Sequence, residues 1–458
     1  MGWPLAALLA LTALRLALTA ILPLTPDEAY YFTWAQHLQA GYLDHPPMVA
    51  LWIRLGTALL GDTPLGIRLL GPLSVCLGSL ALYDAGNRLL AGRRGGLYAA
   101  AFLNATLMLG AGCLLMTPDT PLLFFWTLGL WALARLIASD NPRWWLAAGT
   151  IAGLMLTSKY TAALFLAGAG LWALTCKPIR AHLRTPWPWL GILLAFLLFA
   201  PDIYWNATHG WASYLKQGGR MDGFDPARTL QFLGELIGGQ ALLLTPLIAI
   251  LAVRGLWRLR ADTSPGARLL LWLTLLPAAI FLEHVLTNRV ESNWPAILYP
   301  SACLAAALAP QRWARPALGL GLAMTGLVYL QALTGVIPIP AKRDTSALQM
   351  AGWRQLATEA AASHPAFLTS DDYAIASELA FYAPPAVPVL GLTPRWRYFN
   401  WPVLATRGET GLLITRRQDT PCPVLLGTIT RKRGNEPVMR YKVCRITAAS
   451  DAKEFPRP

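Results

Sequence analysis

Charge is what this sequence has least of. Of its 458 residues only 14% are Asp, Glu, Lys or Arg, whereas 55% are hydrophobic, and the mean hydropathy is +0.43. A soluble domain carries about a quarter charged residues, so an ordinary soluble globular fold is excluded. Several chemical signatures are also missing. There is no Walker A loop, no Gly-rich dinucleotide fingerprint, no HExxH pair and no nucleophile elbow. The six Cys lack zinc spacing, and no metal or other cofactor is expected. Cys76, Cys113, Cys176 and Cys303 sit in apolar runs and read as small core residues. Cys422 and Cys444 lie in a polar tail and could pair in an oxidising compartment. No fixed-period repeat or low-complexity tract is present.

What the sequence does have is apolar runs, each long enough to cross a bilayer core of roughly 30 Å. Eleven spans are expected, near 3–24, 64–91, 97–115, 121–138, 144–158, 161–176, 187–205, 239–257, 268–286, 295–309 and 316–337. The first has no basic n-region and reads as an uncleaved span, with Arg15 needing a polar partner inside the bundle. The net charge of +14 could suggest nucleic acid, but the basic residues sit mostly in short loops and in the tail, so no nucleic-acid partner is expected. One set of alternate loops carries fourteen of them: Arg88, Arg93, Arg94, Arg135, Arg143, Lys177, Arg180, Arg184, Arg254, Arg258, Arg260, Arg268, Arg312 and Arg315. The longer opposite loops carry six: Arg54, Lys159, Lys216, Arg220, Arg228 and Arg289. The positive-inside rule puts the first set in the cytoplasm. The chain then divides into a membrane domain, 1–337, with a large outer loop at 25–63, and an outer α/β domain, 338–458. A helix over 348–362 and strands near 366–369, 387–390, 412–415, 424–430 and 439–446 are expected in the tail.

The unusual polar residues gather on the outer face. Thr25-Pro26-Asp27-Glu28 reads as a capping box, which accounts for Glu28 well and for Asp27 poorly. A carboxylate fixed at that helix start can instead act as general base on an acceptor hydroxyl. Thr117-Pro118-Asp119 repeats the device on the same face. In Asp44-His45-Pro46-Pro47, Asp44 can cap the next helix, or His45 can face a phosphate. In Ser158-Lys159-Tyr160-Thr161, Lys159 is either a snorkelling anchor or a ligand for a lipid-linked phosphate. Asp202 lies near the outer end of a span, followed by His209, Lys216 and Arg220. Glu283, His284 and Glu291 have no assignable role. With no nucleotide motif, a group donor used on this face has to come through the membrane, and a lipid-linked donor is the natural candidate.

These motifs, in order, resemble the bacterial branch of the protein O-mannosyltransferase family, including RgtA/B/C/D-like enzymes, and related lipid A aminoarabinose transferases. The resemblance rests on Pro26-Asp27-Glu28-Ala29-Tyr30-Tyr31, Gly41 to Pro47, Thr117-Pro118-Asp119, Ser158 to Thr161, Trp205 to Trp211 and Asn293-Trp294-Pro295-Ala296. It is weaker in the tail, at Ser370-Asp371-Asp372-Tyr373 and Ser377 to Tyr382. The resemblance implies a GT-C helix bundle in the bacterial inner membrane with a periplasmic active site. It implies an inverting glycosyltransferase that takes a polyprenyl-phosphate-linked sugar to a hydroxyl or phosphate of lipid A, core oligosaccharide, another glycolipid or a protein. The first-loop acid maps onto Asp27, with Glu28 adjacent, and the second onto Asp119. Where the aminoarabinose transferases have Glu-Lys-Pro, with Lys as phosphate ligand, this chain has Asp44-His45-Pro46. That makes the role pH-dependent at His45, or hands it to Lys159, Arg220 or His209. Tyr30, Tyr31, Asp44, Tyr160, Asp202 and Asp372 are the expected substrate contacts. The alternative from another class is a transporter or flippase for a lipid-linked sugar. That function favours internal repeats and midplane breaks, rather than polar residues gathered at one face.

Overall fold

The computed structural model describes residues 2–90, 95–218 and 226–458. It is a polytopic membrane helix bundle carrying a small C-terminal sheet domain. Six helices among the described residues are long and apolar enough to cross a membrane: Gly2–Ile21, Pro64–Leu89, Asp119–Ser139, Pro186–Thr208, Pro265–His284 and Arg312–Thr334. The number rises to nine if each of three bent pairs is one span. The expected span at 97–115 falls on a pair bent by 70°, and that at 161–176 runs into a second helix turned by 96°. The span expected at 239–257 is not continuous. Pro226–Leu243 meets Pro246–Leu259 at 101°. Pro246 has no N–H to continue the ladder, and Thr245 before it takes φ +67°, outside the helical region. The remaining two, expected at 144–158 and 295–309, are the shorter helices Trp144–Leu156 and Trp294–Ala306. Trp144–Leu156 presses on Pro186–Thr208 through paired glycines. A Cβ on Gly149 would lie 2.1 Å from the Gly191 carbonyl oxygen, so only glycine allows this approach. Arg15 finds its polar partner in Asn104, whose side-chain oxygen accepts at 2.7 Å.

The first long loop folds as the sequence suggests, into Pro26–Gln36 and Met48–Leu60. Asp44 does not cap the second helix, because Pro47 occupies that position. In the tail, seven strands form one sheet in the order β3-β7-β2-β1-β4-β6-β5. They are β1 (Leu368–Thr369), β2 (Val389–Gly391), β3 (Val403–Leu404), β4 (Thr410–Thr415), β5 (Val424–Arg433), β6 (Glu436–Thr447) and β7 (Ala452–Glu454). β1 is parallel to β2 and β4, and the remaining pairs are antiparallel. The helix expected at 348–362 is split into Thr345–Met350 and Trp353–Ala361 by Gly352, which takes φ +76°. A further helix, Tyr373–Tyr382, joins β1 to β2. It lies against Pro26–Gln36, and one apolar core containing Tyr30, Phe32, Trp34, Leu356, Ile375 and Leu379 runs across the junction.

Cys422 and Cys444 form a disulfide with a Cα separation of 5.3 Å, tying the start of β5 to β6. The 22-residue sequence separation is modest, and loop-closure entropy for a ring of that size is worth about 3 kcal/mol. Cys422→Ser is expected to lower the stability of the sheet domain by roughly 2–4 kcal/mol, with the bundle unaffected. Limited proteolysis with and without reductant measures it. Equal cleavage in both conditions excludes a stabilising bridge.

Candidate active site

The site begins with a buried ion pair behind it. Thr25 takes an extended backbone, Pro26 starts the helix, and Glu28 falls at its third position. The Glu28 carboxylate accepts from the Thr25 N–H and hydroxyl, both at 3.0 Å. It also accepts from Arg68 through two contacts of 2.6 Å and from the Met116 N–H at 2.9 Å. Arg68 in turn donates to the carbonyls of Thr19, Leu22 and Pro23. Both side chains are fully buried. Glu28 does not line the cavity, so the expectation of a catalytic role is corrected: every lone pair is already committed to structure.

Asp27, one residue earlier, points the other way. It opens onto a cavity of about 700 Å³ that also gathers Tyr30, Tyr31, Asp44, His45, Asp119, Lys159 and Tyr160. These residues come from three separated stretches, brought together by the first loop, the start of Asp119–Ser139 and the turn before Tyr160. Glu283, His284, Glu291 and Asn293 line the far wall. The Tyr373 hydroxyl donates to Asp27 Oδ1 at 3.1 Å. Enclosure by the protein raises the Asp27 pKa above the ordinary carboxylate value; the Tyr373 bond opposes this, and the negative Glu28, Asp44 and Asp372 add to the rise.

Asp119 and Lys159 meet directly. Lys159 Nζ donates to both carboxylate oxygens at 2.7 and 3.0 Å, and Asn293 Nδ2 donates to Oδ2 at 2.6 Å. Lys159 also sits 5.8 Å from the centre of the Trp294 ring. Asp44 is held by the Tyr30 hydroxyl (2.6 Å), by Arg395 Nη1 (2.6 Å) and by Lys216. Burial works against its ionisation, but Arg395 and Lys216 outweigh that and hold its pKa below the usual value. His45 is different. Burial, reinforced by the Lys159 charge, pushes its imidazole down to about 4. Its Nδ1 is buried without a partner among the described residues. At neutral pH it is an uncharged donor or acceptor, so it cannot replace a lysine's charge.

Several expected contacts lie elsewhere. His209 stacks on Trp205 at 4.2 Å with its Nδ1 on the Trp205 carbonyl, away from the cavity lining. Asp202 sits behind Tyr160, sharing hydroxyl contacts with Tyr160 at 3.4 Å and Tyr214 at 3.1 Å. A side chain at Gly41 would come within 3.0 Å of Asp202 and Trp205, so the loop packs tightly against both. Asp372 caps the helix Tyr373–Tyr382 through the Ala374 N–H and pairs with Arg416. Arg220 lies outside the described residues. Three partners were missed by sequence reasoning: Arg68, Arg395 and the hydroxyl of Tyr373. Arg68 falls inside the expected span 64–91, and nothing local in the sequence names its partner. Arg395 and Tyr373 are more than 340 residues from the carboxylates they touch, and no local pattern reports such a contact.

Residues 44–205 match the family described as dolichyl-phosphate-mannose-protein mannosyltransferase. Lipid A galacturonosyltransferase RgtD of Rhizobium johnstonii is 26% identical over 312 residues, which cover 66% of this chain. The match spans 64% of that relative's own length. The structure of ArnT from Cupriavidus metallidurans bound to undecaprenyl phosphate superposes with a TM-score of 0.67 at 15% identity, covering 98% of this chain and 99% of that one. The apo form of the same protein gives 0.64 at 16% identity, covering 98% of each chain. At this identity the likeness concerns the fold.

Two substitutions test the electrostatic frame. Glu28→Gln removes the charge opposite a fully buried Arg68 and is expected to cost roughly 3–5 kcal/mol, read as a large drop in unfolding temperature in detergent. A normal melting curve with lost turnover would return Glu28 to the chemistry. Lys159→Ala leaves the buried Asp119 with Asn293 as its remaining partner, at a cost on the order of 3 kcal/mol. Adding Asp119→Asn is expected to recover part of that loss, whereas strictly additive losses would rule out a coupled pair.

Proposed function

We propose that this chain, which belongs with the protein-mannosyltransferase-like and Rgt-like GT-C proteins, is an inverting membrane glycosyltransferase. Its donor is a sugar on a polyprenyl phosphate, and its acceptor a hydroxyl or phosphate of lipid A, core oligosaccharide, another glycolipid or a protein. The observation that carries this reading is the single cavity holding Asp27, Asp119, Lys159 and His45 together. Their convergence at one face favours a reaction over passage across the bilayer. We place the cavity on the periplasmic side of the inner membrane, and residues 338–458 with it, because within the membrane domain the opposite loops hold fourteen Lys and Arg against six on this side.

In the proposed reaction an acceptor hydroxyl oxygen attacks the anomeric carbon as the bond from that carbon to the phosphate oxygen breaks. The polyprenyl phosphate leaves with the electron pair, and Asp27 takes the hydroxyl proton. The raised pKa of Asp27 brings it nearer the acceptor's proton affinity than an ordinary carboxylate. Lys159 has three N–H donors and faces the cavity, so it suits the leaving phosphate, with the neutral His45 as a second hydrogen-bonding group. Asp119 and Asn293 aim the Lys159 ammonium. Developing charge on the phosphate is then met by donors already in place.

The reading predicts that Asp27→Asn folds, inserts and binds donor but loses about 10²–10⁴ in transfer rate. The amide keeps the size of the side chain and cannot take the proton. The parent's activity is expected to fall with decreasing pH through a midpoint above the usual carboxylate range, because Asp27 works only when ionised and its pKa is raised. Sugar transfer from a polyprenyl-phosphate donor decides the matter. Near-parental activity in Asp27→Asn would sink the assignment.

A further inference from the structure

The sheet domain meets the cavity with Tyr373, which lines it, and with Arg395, which backs two of its lining residues. Tyr373 opens the helix Tyr373–Tyr382, and its hydroxyl meets Asp27 Oδ1 at 3.1 Å. Arg395, in the turn Pro394–Tyr398, lays its guanidinium over the Tyr373 ring at 4.5 Å while donating to Asp44 and to the Tyr30 hydroxyl. The domain is already docked by other means. Ile375, Leu379 and Leu356 share an apolar core with Phe32 and Trp34, and Asp372 caps the helix independently. The Tyr373 hydroxyl is therefore surplus to docking.

Resting on the reading of Asp27 as the base, we infer that Tyr373 is its positioning residue, holding one carboxylate oxygen so that the other meets the acceptor hydroxyl. A donor on Oδ1 fixes the rotation of the carboxyl group and leaves Oδ2 for the incoming proton. It also favours the ionised form, which is the form that can act. The cation over the ring draws electron density from the phenol and strengthens its O–H as a donor.

The other groups around Asp27 act differently. Glu28 and Tyr31 come from its own helix, Asp44 and the uncharged His45 from the loop, and Asp372 and Arg395 from the sheet domain. Across the cavity stand the Lys159–Asp119 pair and the acid-rich wall of Glu283, His284 and Glu291. The carboxylates of Glu28, Asp44 and Asp372 all favour a protonated Asp27, and the Tyr373 hydroxyl opposes them.

Tyr373→Phe keeps the ring packed on Tyr30, whose centroid is 4.7 Å away, and beneath Arg395. It removes one hydrogen bond. The expected result is an acid limb of kcat/KM displaced to higher pH by about one unit, with an unchanged unfolding temperature. An acid limb that stays in place overturns the inference. The Asp27→Asn variant, assayed alongside, separates the two failures. If it remains active, the base assignment falls and this inference with it. If it is inactive and the limb of Tyr373→Phe has not moved, only the inference about Tyr373 falls. If Tyr373→Phe turns over too slowly for a profile, carbodiimide labelling of Asp27 against pH, read by peptide mass spectrometry, reports the protonated carboxyl without turnover. A labelling midpoint higher in Tyr373→Phe than in the parent supports the inference, and identical midpoints overturn it.

Discussion

The Glu28–Arg68 pair is the constraint on which the rest of the site depends. Two charges with no solvent exposure carry a desolvation cost of several kcal/mol each, which mutual attraction alone does not return. The cost is offset only because every remaining lone pair and proton is used. Glu28 binds the start of its own helix and the Met116 N–H, while Arg68 binds three carbonyls at the end of the first transmembrane helix. One interaction therefore joins four chain segments. Asp27 precedes Glu28 by one residue and Asp119 follows Met116 by three, so the same bonds set where these two of the cavity's carboxylates begin.

Around the cavity, charge is arranged so that one carboxylate differs from its neighbours. Asp119 has a lysine and an amide, and Asp44 an arginine and a lysine. Asp27 has a neutral phenol and three carboxylates nearby. Burial and the like charges push the Asp27 pKa up, whereas Arg395 and Lys216 hold that of Asp44 down. The carboxylates paired with cations are committed to orientation, while Asp27 retains affinity for a proton. The same division explains why Glu28 is unsuited to chemistry despite being adjacent in sequence: helical spacing turns it about 100° away, into a site where all its capacity is used.

Much of the fold was legible in the sequence. Six expected spans fall on long apolar helices, and the two helices of the first loop lie where Pro26 and Pro46-Pro47 suggest. Hydropathy windows fail where geometry is decided by single residues. At Thr245-Pro246 the apolar run continues but the backbone cannot. The strands β3 and β7, two and three residues long, are too short to show a period. In the site, Asp27, Asp119 and Lys159 could be singled out because each breaks a local expectation: an acid that capping does not require, repeated on the same face, and a lysine on the wrong side of the charge bias. His209 and Asp202 carried no such signal, and their neighbours Trp205 and Tyr160 account for them. Tyr373 and Arg395 act through contacts made only when the sheet domain folds onto the first loop.

That junction is built from aromatic side chains of the first loop and of the sheet domain. Tyr30 lines the cavity, and Trp34, Tyr42, Phe399 and Trp396 pack with it in one apolar core behind. Trp34 stacks on Tyr42 at 4.1 Å, Phe399 packs beside both, and Trp396 backs Phe399 at 5.4 Å. Tyr30 stands in the same cluster with its hydroxyl turned to Asp44 and Arg395. Three of these rings belong to the first loop and two to the sheet domain, so the cluster forms only when the two parts are packed together. The Tyr30 hydroxyl, Asp44 and Arg395 meet only when both parts of the aromatic cluster are packed, so burial of that cluster orders the charges at Asp44 as the Glu28–Arg68 pair orders the start of the helix bearing Asp27.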